Sequence, residues 1–127
     1  MKTRRNRKPD VVQRFIELLN VIKLYHWKTK SFPEHKNTDE LYSSLNEHID
    51  HFVEVMIGIT SKRPQQNIYH INAYNFSSKE ELKKYLTKVK KELVQMNFTF
   101  KGESDLLNIR DEILGDIHKF EYLLSFH

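Results

Sequence analysis

The chain has 127 residues, enough for one domain around one hydrophobic core. It contains no cysteine, which excludes a disulfide framework and thiolate metal sites. No apolar run approaches the ~20 residues that a membrane helix needs, and 39% apolar with 30% charged residues suits a water-exposed helical protein.

The net charge is +4, and much of it sits at one end. Lys2, Arg4, Arg5, Arg7 and Lys8 precede the first acid, Asp10. Residues 1–9 have no periodicity and end in Pro9, so they read as a disordered basic arm ahead of a domain spanning 10–127. No apolar h-region follows the basic start, so no secretory signal is expected. Asp10 can cap a first helix in which Val12, Phe15, Leu19, Ile22 and His26 recur at steps of three and four. Residues 31–38 break that pattern, and Pro33 cannot sit inside a helix. The spacing then predicts a second helix over about 38–61, with Leu41, Leu45, Ile49, Phe52 and Met56 as its apolar stripe and Tyr42, Val53 and Ile57 widening it. Residues 62–76 hold Pro64 and several Asn and Gln and show no period. They are expected to form a connecting loop long enough to cross a bundle, with room for a short helix.

Ser78-Lys79-Glu80-Glu81 has the form of a capping box and opens a third helix through Leu82, Tyr85, Val89, Leu93 and Met96. Gly102 marks the next break. Glu103 or Ser104 opens a fourth helix with Leu106, Ile109, Ile113, Ile117, Phe120 and Leu124 on one face. Four helices of about 20 residues, each with a single apolar face, predict an all-α four-helix bundle.

Within that frame His26, His35, Asp39, Asp50 and Glu54 form a candidate metal-ligand set. The steps His35 to Asp39 and Asp50 to Glu54 each put two donors on one helix face. Imidazole and carboxylate without thiol suit iron, manganese or zinc. Singly, each residue has an ordinary explanation. Asp39 near a helix start favours the macrodipole, His35 fits a loop, Asp50 and Glu54 fit a solvated face, and His26 fits a core. Together these explanations weaken. Asp50 and Glu54 repel at i, i+4 by roughly a few tenths of a kcal/mol, and residues 38–61 contain no Lys or Arg to compensate. A bound cation would relieve that repulsion. His51, one turn from Glu47 and Glu54, is a candidate outer ligand. His48, His70, His118 and His127 read as surface residues.

The order His26-Trp27, His35, Asp39, Asp50, Glu54 resembles the ferroxidase signature of the Dps miniferritins, ferritin-like four-helix bundles that assemble into hollow dodecamers. The i, i+4 spacings and the interval of fifteen from His35 to Asp50 match. The strings Tyr25-His26-Trp27-Lys28-Thr29-Lys30-Ser31 and Glu34-His35-Lys36 are also similar to small Dps-like proteins of large DNA viruses and phages. The resemblance covers residues 25–58. It implies a ferritin-like bundle in which His26, His35 and Asp39 come from one subunit and Asp50 and Glu54 from its two-fold partner. That site would bind and oxidise non-haem iron in a homodimer at least, and in a dodecamer if a cage forms. Trp27 matches the family's aromatic beside the site and reads equally as a core aromatic. The interval from His26 to His35 is shorter than in typical members, which implies a tighter turn between the first two helices. The larger ferritins place Glu-x-x-His motifs on two bundle helices. This chain has none on its helices, which favours a site between subunits.

The arm residues Lys2, Arg4, Arg5, Arg7 and Lys8 suit salt-sensitive, sequence-independent DNA binding, and an oligomer would multiply that effect. They suit a solubilising tail equally. No motif for sequence-specific recognition is present. Three functions compete at this level: a Dps-like ferroxidase, a non-enzymatic DNA-coating protein, and a virion structural protein. The expected location is cytoplasmic or virion-associated.

Overall fold

The computed structural model describes residues 10–126, so the basic arm at residues 1–9 lies outside the described residues. Helix α1 (Val11–Lys28) starts where the sequence places it. The Asp10 carboxylate accepts the backbone N–H of Val12 at 2.8 Å and of Gln13 at 3.4 Å, which satisfies two amides that have no partner inside the helix.

Helix α2 (Phe32–Thr60) begins six residues before the predicted start at residue 38. Pro33 stands in its first turn, where the missing N–H costs nothing and the fixed φ is favourable. Ser31 caps it by accepting the Glu34 N–H at 3.3 Å. His35 and Asp39 are therefore helical, and only Thr29, Lys30 and Ser31 separate α1 from α2.

Residues 61–78 form no helix and no strand. The segment lies along α1 from end to end. Tyr69 and Gln66 reach the Asp10 carboxylate, Gln13 donates to the carbonyl of His70, Glu17 accepts the Asn72 N–H at 3.2 Å, and Lys28 meets Ser77 at 3.2 Å. This crossover carries the chain the length of the bundle, so α3 (Lys79–Thr99) runs parallel to α2. The capping box at Ser78 and Glu81 is present in both directions. Helix α4 (Ser104–Leu124) returns antiparallel to α3, and Lys79 Nζ reaches the Leu124 carbonyl at 3.3 Å.

The result is an all-α four-helix bundle with one long crossover. Helix α1 packs on α2, α2 on α4, and α4 on α3. Phe15, Leu18, Ile22, Leu45, Phe52, Leu82, Leu86, Leu93, Ile113, Ile117 and Phe120 fill the interior. Backbones of α1 and α3 stay apart, and a cavity of about 290 Å³ opens between them beside Phe15, Leu18, Leu93 and Met96. Polar side chains bridge that gap. Glu17, 4% exposed, accepts the Tyr85 hydroxyl at 2.9 Å and the Arg14 guanidinium at 3.3 Å, while Arg14 also holds Glu92 at 2.6 Å. Burial and the Glu17 carboxylate push the Tyr85 phenol well above its ordinary pKa. No helix among the described residues is long and apolar enough to cross a membrane.

Candidate metal centre

The short α1–α2 connection folds the last turn of α1 onto the first turn of α2. Glu34 fastens the corner, accepting the Tyr25 hydroxyl at 2.8 Å and the Thr29 hydroxyl at 3.0 Å. Burial, then the Glu34 contact, raises the Tyr25 phenol pKa, so tyrosine is the donor in this pair.

At this corner the rings of His26 and His35 stack with centroids 3.9 Å apart and planes 18° from parallel. The two residues exchange hydrogen bonds. His26 Nδ1 is 2.8 Å from the His35 carbonyl oxygen, and His35 Nδ1 is 2.9 Å from the His26 carbonyl oxygen. A carbonyl oxygen only accepts, so each ring carries a proton on Nδ1. Thr38, fully buried, donates its hydroxyl to the Glu34 carbonyl at 2.8 Å and lies 2.9 Å from His26 Nδ1. In the neutral tautomer each Nε2 is left as a free lone pair. No buried side-chain nitrogen lacks a partner among the described residues, and His26 Nε2 bonds nothing, so that atom reaches the surface. This is the arrangement a ligating histidine requires, with one nitrogen anchored and the other presented.

The remaining expected ligands lie along α2. Asp39 is one turn beyond His35 and exposed. Asp50 and Glu54 are exposed farther down the helix, and none of the three has an ion-pair partner among the described residues. From His35 to Asp50 the helix rises ~22 Å, while the four side chains share an arc of ~100° around its axis. One chain therefore aligns the five residues on one side but brings only His26 and His35 together. Among the described residues no group of three His, Asp or Glu could hold a metal ion within a single chain.

Two sequence readings need correction. Trp27 is 69% exposed, so it is not a core aromatic; Lys23 Nζ lies 5.7 Å from its ring centroid and 4.1 Å from that of Tyr42. His48 is not a free surface histidine. It is half-buried between α2 and α4, with Nδ1 2.6 Å from Asp116 Oδ2 and Nε2 3.9 Å from Glu112 Oε1. Burial raises the Asp116 pKa, and the hydrogen bond from His48 only partly offsets this. The sequence signal was the position of His48 beside Leu45, Ile49 and Phe52, but its partners lie on a different helix. His51 is exposed.

Fold and site together define an all-α four-helix bundle with an anchored histidine pair at one corner. The chain belongs to DUF5856, a family of unknown function whose model matches residues 26–124, a span that holds all five expected ligands. No curated protein and no solved structure matches the chain.

Proposed function

We propose that this chain is a Dps-like miniferritin that binds Fe(II) between two subunits and oxidises it with peroxide or oxygen. The observation that carries the reading is the reciprocal anchoring of His26 and His35 through Nδ1, which leaves Nε2 of each neutral ring available to a cation. The single long crossover between α2 and α3 supports it, because ferritin-like bundles use one such connection. So does the row Asp39, Asp50 and Glu54 on the same side of α2, which has no ion-pair partner among the described residues.

A two-fold axis near the middle of α2, around residues 42–47, would cross two copies antiparallel. His35 and Asp39 of one copy would then face Asp50 and Glu54 of the other. The carboxylates would neutralise Fe(II), and His26 and His35 would complete the ligand set. Two Fe(II) ions each give one electron to hydrogen peroxide, which takes up two protons and leaves as two waters. Storage of the ferric product and protection of DNA follow if the dimer assembles into a cage and the arm residues bind phosphate. This reading places the protein in the cytoplasm or in a virion.

Stopped-flow Fe(II) oxidation with native mass spectrometry of the iron-loaded protein tests the proposal. The parent should oxidise Fe(II) above the buffer rate as an iron-bearing dimer or larger assembly. The Asp50→Ala, Glu54→Ala double variant should be at least ~10-fold slower. Equal rates would sink the proposal. A second reading, a DNA-coating or virion structural protein that keeps the bundle without iron chemistry, is supported by the basic run Lys2, Arg4, Arg5, Arg7 and Lys8. A metal-free monomer in the same experiment would select it.

A further inference from the structure

Charge is segregated across the bundle. Helix α2 carries Glu34, Asp39, Glu40, Glu47, Asp50 and Glu54 against Lys36 alone. Helix α3, at the diagonal position, carries Lys79, Lys83, Lys84, Lys88, Lys90 and Lys91. Two of these lysines are engaged: Lys79 with the Leu124 carbonyl and Lys90 with Glu121 at 2.5 Å. Lys83, Lys84, Lys88 and Lys91 are exposed and have no ion-pair partner among the described residues. The acids of α3 do not neutralise them. Glu81 is committed to the capping box and Glu92 to Arg14, which leaves Glu80 in the first turn.

The core side of α3 is set by Leu82, Leu86, Val89 and Leu93. At ~100° per residue, Lys84, Lys91 and Phe98 fall on a line opposite that side, one heptad apart, with Lys83 and Lys88 flanking it. Phe98 is 75% exposed, the most open large apolar side chain among the described residues. Positive charges that track a backbone, beside an exposed ring on which a base can stack, are the two elements of sequence-tolerant single-strand binding. Val94, 47% exposed, is the one other large apolar side chain along this ridge. Two apolar groups are a small insertion surface for a lipid bilayer, so the charge dominates. Val11 and Phe98 border the same cavity, so the start of α1 lies at the Phe98 end of this ridge.

We infer that the outer ridge of α3, built from Lys84, Lys88, Lys91 and Phe98, is a docking surface for single-stranded nucleic acid, separate from the α1–α2 corner and independent of iron. The test is fluorescence anisotropy of a labelled 25-nucleotide oligodeoxythymidine against the full chain over a range of salt, without iron. The arm is unchanged in every variant, so differences report the ridge. Lys84→Gln, Lys88→Gln, Lys91→Gln together should weaken binding by roughly ten-fold at low salt and lower the salt slope by about 2, at ~0.7 per phosphate released. Phe98→Ala should weaken the single strand by roughly ten-fold and leave a duplex of equal length unaffected. Circular dichroism should match the parent for both, since every altered side chain is exposed. Parental affinity and slope in both variants would overturn the inference. So would a parent that binds phosphatidylserine vesicles but not the oligonucleotide.

Discussion

Glu17 shows at the scale of one residue how the bundle tolerates a carboxylate in its interior. Its oxygens accept from the Tyr85 hydroxyl, the Asn72 amide and Arg14, so α1, α3 and the crossover all meet on one side chain. Glu17→Ala should lower unfolding free energy by about 3 kcal/mol, because three donors lose their acceptor. Tyr85→Phe, which removes one donor, should cost about 1 kcal/mol. Urea denaturation measures both, and a near-neutral Glu17→Ala would refute this account. Asp116 behaves differently. Its folded pKa is raised above the unfolded value, chiefly by burial, with Glu112 adding and His48 and Lys119 opposing. The neutral acid therefore contributes stability that is present below the unfolded pKa of 3.8 and lost as pH rises through the higher folded value. The melting temperature of Asp116→Asn relative to the parent should rise across that window. A constant difference would contradict the assignment.

The helix starts at Asp10 and Ser78 are legible in the sequence, because each is set by a local cap. The start at Ser104 has no side-chain cap and is marked instead by Gly102, which takes φ 89° just before it. The start of α2 was misplaced because Pro33 reads as a breaker, yet it occupies the first turn, where proline is favoured. That difference matters for the site, since it makes His35 helical and shortens the corner enough for the two imidazoles to stack. The stacking, like the His48–Asp116 pair, depends on which helices meet, and periodicity along one helix does not carry that. The end of α2 offers a separate test. Ser61 closes the helix at φ 60°, in the left-handed region where a Cβ is strained. Ser61→Gly should stabilise the protein by about 1 kcal/mol in thermal unfolding. A loss of stability would show that the Ser61 side chain contributes more than its backbone costs.

Across the whole molecule, the four expected ligands on α2 share one side of the helix but are spread over ~28 Å of it, and His26 meets only His35. Their order and spacing were readable from the sequence. Their failure to meet within one chain was not, because that depends on helix length against the reach of side chains. The acidic side of α2 and the basic ridge of α3 lie at diagonal corners, so a copy docked through α1 and α2 would leave α3 facing outward. The central claim is that the site is shared between two subunits, and complementation tests it most directly. His26→Ala, His35→Ala subunits and Asp50→Ala, Glu54→Ala subunits would be co-refolded in equal amounts and assayed for Fe(II) oxidation. Each variant alone should be at least ~10-fold slower than the parent. In a mixed dimer one of the two sites regains every ligand, so random mixing should restore roughly a quarter of the parental rate. A mixture as slow as its components, with mixed dimers confirmed by mass, would contradict a shared site.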